Sequence, residues 1–296
     1  MTSLATVSNH KKDRKFKQGK KLLKSFLYHF FVIAFGYVMI YPILWMVFAS
    51  VKDNSEIFKN AGSLLPTTYH FENYAIGWKG FAGTSFAVFF KNSFITAILS
   101  TIGAVASSAL VAYGFARIKF VGKKLWFALM MVTMMLPFQV VMIPQFVIFH
   151  KLNWINSFKP IIIPQFLGQP FFIFLMVQFI QGIPSELDQS AKIDGCGRYS
   201  IFYRIILPLL SPALITSTIF SFYWRWDDFF AALLYLNKPK LYTIPLALRM
   251  FADPASVSNW GAMLAMATLS LIPVFVIFFI FQRYLVEGIS TTGLKA

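Results

Sequence analysis

Apolar residues in this chain gather into long runs separated by short polar stretches. Crossing a bilayer as a helix takes about 20 apolar residues. Six segments meet that length: roughly 25–51, 86–114, 125–149, 160–183, 208–236 and 261–284. The pattern predicts an all-α membrane protein with six transmembrane helices. The most polar interruption is residues 184–207, which carry Glu186, Asp188, Lys192, Asp194, Arg198 and Arg204 between the fourth and fifth spans. Backbone and charge at that density cannot sit in hydrocarbon, so this segment belongs in water or against another protein.

Local signals divide the polar segment into two short helices. Pro184 ends the fourth span. Ser185 with Asp188 three residues on predicts an N-cap and a capping-box-like pair. Leu187, Ala191 and Ile193 predict an apolar stripe on the first helix. Gly195 and Gly197 break it, and a second helical run over 198–207 leads into Pro208. A helix–glycine turn–helix elbow at the membrane surface follows. The plain alternative is an amphipathic surface helix with no partner.

Composition agrees with the spans. Hydrophobic residues make up 57% of 296 and charged residues only 13%, against about 25% charged in soluble domains. The net charge of +16 sits at membrane edges, not on one soluble face, so nucleic acid is not the expected partner. With the N-terminus inside, 17 of the 27 Lys and Arg fall on inner segments and 8 on outer loops. That excess predicts both termini inside and the elbow in the cytoplasm. Residues 1–24 read as a disordered, basic cytoplasmic tail touching anionic lipid. Residues 25–284 form the transmembrane domain and 285–296 a short polar cytoplasmic tail. Cys196 is the single cysteine and His10, His29, His70 and His150 lack ligand spacing, so no metal or disulfide is expected.

Several features within the spans carry chemistry. Ala104, Ser108, Ala112 and Ala116 recur at fours and predict close helix packing inside the chain. Pro137 and Pro144 in the third span, and Pro164 and Pro170 in the fourth, predict bends. Gln139 and Gln145 are amides at depth and should face protein or an aqueous cavity. The fifth span carries Trp224-Arg225-Trp226-Asp227-Asp228-Phe229. Arg225 lies about 25 Å beyond Pro208 at 1.5 Å per residue, in the outer half of the membrane. Arg225 and Asp228 can share a helix face and pair, either along a pathway or at the outer interface. The aromatic rings could stack on sugar faces, and Gln139 and Asp227 could bond hydroxyls. No Gly-x-x-x-x-Gly-Lys-Ser/Thr phosphate loop occurs, so the chain is expected to bind no cofactor and to catalyse nothing itself.

The elbow resembles the cytoplasmic signature of ABC importer permeases: Glu-Ala-Ala, three residues, Gly, nine residues, Ile-x-Leu-Pro. Gln189-Ser190-Ala191, Gly195 and Ile205-Ile206-Leu207-Pro208 keep the spacing. Gln189 and Ser190 depart from the family letters, and Glu186 or Asp188 could substitute for the missing carboxylate. AYGFARIKF (112–120), MMLPFQ (134–139), AKIDG (191–195), LYTIPLAL (241–248) and FQRYLVEGI (281–289) resemble the carbohydrate, maltose-type branch. That branch usually reads Ser-Trp-Asn-Asp-Phe where Arg225-Trp226-Asp227-Asp228-Phe229 stands here. The resemblance implies a type I importer permease fold with a coupling helix, in the plasma membrane of a bacterium. It implies three partners: a second homologous permease, a cytoplasmic ATPase dimer using ATP-Mg, and an extracytoplasmic solute-binding protein that delivers sugar. ATPase coupling would then fall to Glu186, Asp188, Gln189, Ser190, Ala191, Lys192, Asp194, Gly195, Arg198 and Pro208. An importer permease for a non-sugar solute and an ion-coupled secondary transporter are the competing expectations.

Overall fold

The computed structural model describes residues 3–251 and 259–293, with side chains described for 21, 23–251 and 259–283. The basic side chains up to Lys20 and the polar side chains of the C-terminal tail therefore lie outside the described residues. Secondary structure among the described residues is helical throughout, apart from one isolated bridge between Phe81 and Thr84. Four helices are long and apolar enough to cross a membrane: Leu23–Ala49, Phe86–Arg117, Lys159–Gln181 and Trp260–Arg283. Two bent helix pairs bring the number to as many as six.

The chain divides into two compact units, residues 1–71 and 72–296. In the first, α1 (Ser3–Ala49) runs unbroken from the basic stretch through the first apolar segment. This corrects the disordered tail expected for 1–24: the backbone is helical from Ser3, and Gly19 inside the lysine-rich run does not break it. From Leu23 to Ile40 the apolar side chains of α1 are largely exposed, as a lipid-immersed helix requires. The unit closes with α2 (Asn54–Lys59), capped by Asp53, whose Oδ1 accepts from the Ser55 hydroxyl at 2.6 Å and the Ser55 amide at 2.9 Å. Glu56 accepts from the Thr67 amide at 2.8 Å and its hydroxyl at 2.7 Å. These hydrogen bonds hold both carboxyls below the usual carboxylate range.

The second unit is built along one long helix. After α3 (Glu72–Lys79) comes α4 (Phe86–Arg117), the most buried of the span candidates. Ala104, Ser108 and Ala112 are fully buried on it, so the small-residue spacing does serve packing inside the chain. The third span is broken: α5 (Lys123–Thr133) and α6 (Phe138–Lys151) meet at 99°. Pro137, which has no amide hydrogen, caps α6 at that break. Pro144 lies inside α6 without breaking it.

The fourth span runs as α7 (Lys159–Ile162), a 3-10 turn (Ile163–Leu167) and α8 (Pro170–Gln181). Gly168, at φ +89°, makes the break. The Ser108 hydroxyl on α4 accepts from the Gln169 amide at 2.9 Å, satisfying a donor the break exposes. Where a side chain on Gly103 would project, the Phe166 ring lies within 2.5 Å. Glycine there lets the broken span press against α4.

Beyond the elbow come α12 (Ser211–Trp226), α13 (Phe229–Tyr235), α14 (Ile244–Phe251) and α15 (Trp260–Gly293). Helix α15 continues past the expected end of the sixth span at residue 284. The loop before α14 is latched onto α4. Asn92 Nδ2 donates to the carbonyls of Lys240 at 2.9 Å and Tyr242 at 3.0 Å, and Ser93 Oγ accepts from the Ile244 amide at 2.8 Å.

Candidate functional site

The elbow has the expected parts. Its first helix, α9, spans Glu186–Ile193, and its second begins as α10 (Arg198–Ile201). That run continues through a π-helical turn (Phe202–Ile206) into α11 (Leu207–Leu209). At Leu210 the chain bends by 75° into α12. Gly195 has φ +83° and leaves the turn in a conformation that side-chain-bearing residues rarely adopt. The Cys196 amide then bonds the Ala191 carbonyl at 2.8 Å, closing the turn onto α9.

Two local expectations fail, for one reason. Ser185 is itself helical and makes no side-chain cap bond. Its carbonyl accepts from the Asp188 and Gln189 amides instead. Asp188 turns away from the helix end and places Oδ2 at 3.0 Å from Arg117 Nε, with both side chains nearly buried. The contact is off the N–H axis, and Asp188 Oδ1 has no hydrogen-bond partner among the described residues. Arg117 Nη2 meanwhile donates to the Ile183 carbonyl at 2.6 Å. A cation at the last turn of α4 outcompetes the capping box because it offers Asp188 a full opposite charge where water is scarce.

The same rotation reassigns the apolar stripe. Ala191 is buried beside Asp188, but Leu187 is 42% exposed and Ile193 is 87% exposed. Both project from the elbow, together with Glu186, Gln189, Ser190, Lys192 and Asp194. The inner face joins one continuous core: Ala191, Ile201, Phe202 and Ile206 pack with Ala112 and Tyr113 of α4 and with Phe172, Met176 and Ile180 of α8. Tyr113 Oη donates to the Arg198 carbonyl at 3.1 Å, a second tie to α4. Movement of the elbow is thereby conveyed to α4 and α8, since packed interiors transmit displacement instead of absorbing it.

Of the coupling residues, Glu186, Gln189, Ser190, Lys192, Asp194, Gly195, Arg198 and Pro208 are exposed, while Asp188 and Ala191 are inward. Asp188 is engaged inside the fold by Arg117, and Glu186 is the acidic side chain left on the outer surface of α9. Arg117 was missing from the sequence reading as a site residue. The signal was its place at the end of AYGFAR, one helix terminus away from a polar elbow.

The fifth-span cluster is also rearranged. Helix α12 ends at Trp226, Asp227 caps it, and Asp228 starts α13. Arg225 Nη1 donates to Asp228 Oδ2 at 2.8 Å, so the two pair across a helix break and not along one face. Asp228 Oδ1 accepts from the Ala231 amide at 3.1 Å. Trp226 is 5% exposed, stacks on Phe222 and donates Nε1–H to the Ser270 carbonyl at 3.1 Å. It packs in the core, in contrast to the exposed ring expected of a sugar-stacking residue. Trp224 stacks on Phe172 at 5.4 Å and remains partly exposed. Asp227 and Gln139 are exposed, Gln139 in the first turn of α6, and Phe229 is half-buried.

Comparison with known proteins follows this geometry closely. Residues 104–291 match the family described as binding-protein-dependent transport system inner membrane component. The chain belongs to this family. The match begins inside α4 and covers the elbow and every element after it. This permease is 30% identical over 262 residues to the arabinooligosaccharides transport system permease protein AraQ of Halalkalibacterium halodurans, covering 88% of this chain and 92% of that one. It is 30% identical over 257 residues to the sulfoquinovosyl glycerol transport system permease protein SmoH of Agrobacterium fabrum, covering 86% of this chain and 89% of that one.

 

The fold matches a solved bacterial ABC transporter involved in the import of the acidic polysaccharide alginate, with a TM-score of 0.74, 21% identity, and 88% and 96% of the two chains covered.

Proposed function

We propose that this permease is one of two homologous membrane subunits of an ATP-driven importer of sugars, with oligosaccharides as the cargo class. It forms half of the translocation pathway and lies in the plasma membrane of a bacterium with both termini inside. A cytoplasmic ATPase dimer, using ATP-Mg, receives the outer face of the elbow, and an extracytoplasmic binding protein delivers the cargo. The observation that carries this reading is the two-sidedness of the elbow. Its inner face belongs to the core of α4 and α8, while Leu187 and Ile193 stand exposed among the described residues. Exposed aliphatic side chains beside a cytoplasmic turn suit a partner's groove. The family supports the binding-protein-dependent system, and the cargo of AraQ and SmoH supports sugar.

Gln139, Trp224, Arg225, Asp227, Asp228 and Phe229 are the pathway candidates on this reading. Arg225 is already engaged by Asp228, so it favours no acidic cargo by itself. Uptake of a panel of radiolabelled sugars by the complete complex in vesicles tests the assignment. Accumulation of at least one oligosaccharide that needs both ATP and the binding protein is expected. Transport of none of them, or uptake driven by an ion gradient without ATP, refutes it. The purified subunit alone should hydrolyse no ATP.

A further inference from the structure

A cavity of about 320 Å³ opens between the end of α4 and the elbow. Tyr113, Arg117, Lys119, Asp188, Lys192 and Arg198 contribute its polar lining. One cation, Arg117, is matched by Asp188. The side chains of Lys119, Lys192 and Arg198 have no carboxylate within 4 Å among the described residues, and they arrive from three different elements. Cations converging from separate elements on a cavity with room for about ten waters suit a compact, multiply charged oxyanion. A second, open cavity of about 540 Å³ shares Lys119 and adds Phe120, Lys123, Lys124 and Leu125. Around it Val121 is 97% exposed, and Leu125 and Trp126 are also exposed at the start of the third span.

We propose that the first cavity binds the phosphate of an anionic phospholipid headgroup, between the coupling elbow and the cytoplasmic end of α4. A free phosphate ion would use the first cavity alone. A phospholipid uses both, because the second leads from the cations to apolar and tryptophan side chains at the depth of the bilayer interface. Lipid bound there would touch both α4 and the elbow, so membrane composition would bear on the element through which the ATPase acts.

Native mass spectrometry of the full chain, extracted from nanodiscs of mixed phosphatidylcholine and phosphatidylglycerol, tests this. Removing two cations in Lys119→Gln, Arg198→Gln should weaken retention of phosphatidylglycerol about 30-fold, whereas the outer-face control Lys151→Gln should leave it unchanged. Unchanged retention in the double variant, or equal loss in the control, overturns the site. Displacement of the lipid by inorganic phosphate as readily as by phosphatidylglycerol assigns the cavity to a free ion and overturns the lipid. A double variant that keeps its lipid but no longer retains the ATPase makes the occupant a carboxylate of that partner, with the same result. Should the double variant not fold, Lys119→Arg with retention intact against Lys119→Gln with retention reduced carries the test, and equal retention by the two refutes it. Both leaflets contain the lipid, so failure bears on this site and not on orientation or cargo.

Discussion

Arg117 at the end of α4 lies 3.0 Å from Asp188 on α9, and the same guanidinium donates to the Ile183 carbonyl. One side chain thus holds both the approach to the elbow and its first helix. Removing one member of a nearly buried pair leaves the other charge uncompensated, at a cost of about 3–5 kcal/mol. Arg117→Leu should therefore lower the melting temperature in detergent and abolish coupled uptake. Arg117→Leu, Asp188→Leu should recover more of the melting temperature than of the uptake, because the ionic tie stays lost. Equal recovery of both would assign the pair a purely structural role.

Gly195 separates backbone strain from partner contact. Among the described residues nothing lies within 4 Å of where its side chain would begin, so a substitution costs only the left-handed conformation, about 1–2 kcal/mol. Gly195→Asn, which tolerates that conformation, should keep ATP-driven uptake. Gly195→Trp should insert in the membrane at ordinary levels yet lose uptake and ATPase retention. Retained uptake in Gly195→Trp would contradict docking at this turn.

Asp228 spends one oxygen on Arg225 and the other on the α13 amide of Ala231. Asp228→Ala removes a helix cap worth about 1 kcal/mol and strands Arg225. Arg225→Gln should reduce uptake of acidic and neutral sugars in the same proportion, measured in paired radiolabel assays. A selective loss of acidic sugars would move Arg225 from structural lock to cargo contact.

The Glu56 carboxylate is held below its ordinary value by the hydroxyl and amide of Thr67. A depressed folded-state value stabilises the loop above the unfolded carboxyl value of about 4.3. That contribution is lost as pH falls through the lower, folded value. Hydrogen-exchange protection of residues 52–71, after correction for the intrinsic pH dependence of amide exchange, should therefore fall on acidification. Thr67→Ala should raise exchange at neutral pH and flatten the response.

Much of this was legible in the sequence. The elbow, its glycine turn and the bend at Pro137 follow from residues whose backbone preferences act locally. Ala104, Ser108 and Ala112 announced a packing face through spacing alone. What escaped was long-range. Nothing near Asp188 signals that its carboxylate prefers Arg117, in another span, to the adjacent helix end. Trp226 illustrates the same limit: beside Arg225 and Asp227 it reads as a ring free to stack on sugar, yet its indole N–H donates to the Ser270 carbonyl of α15. The latch of Asn92 and Ser93 on the Lys240–Ile244 loop likewise depends on chain neighbours that no short window contains.

The π-helical turn at Phe202–Ile206 holds one residue more than an ordinary helix would place in the same length. Excising one residue there would let the run rewind as regular helix and swing everything upstream by about 100° relative to α12. The glycine turn would then face sideways with every residue still present in order, which makes the count of nine between Gly195 and Ile205 a setting of direction as much as of distance.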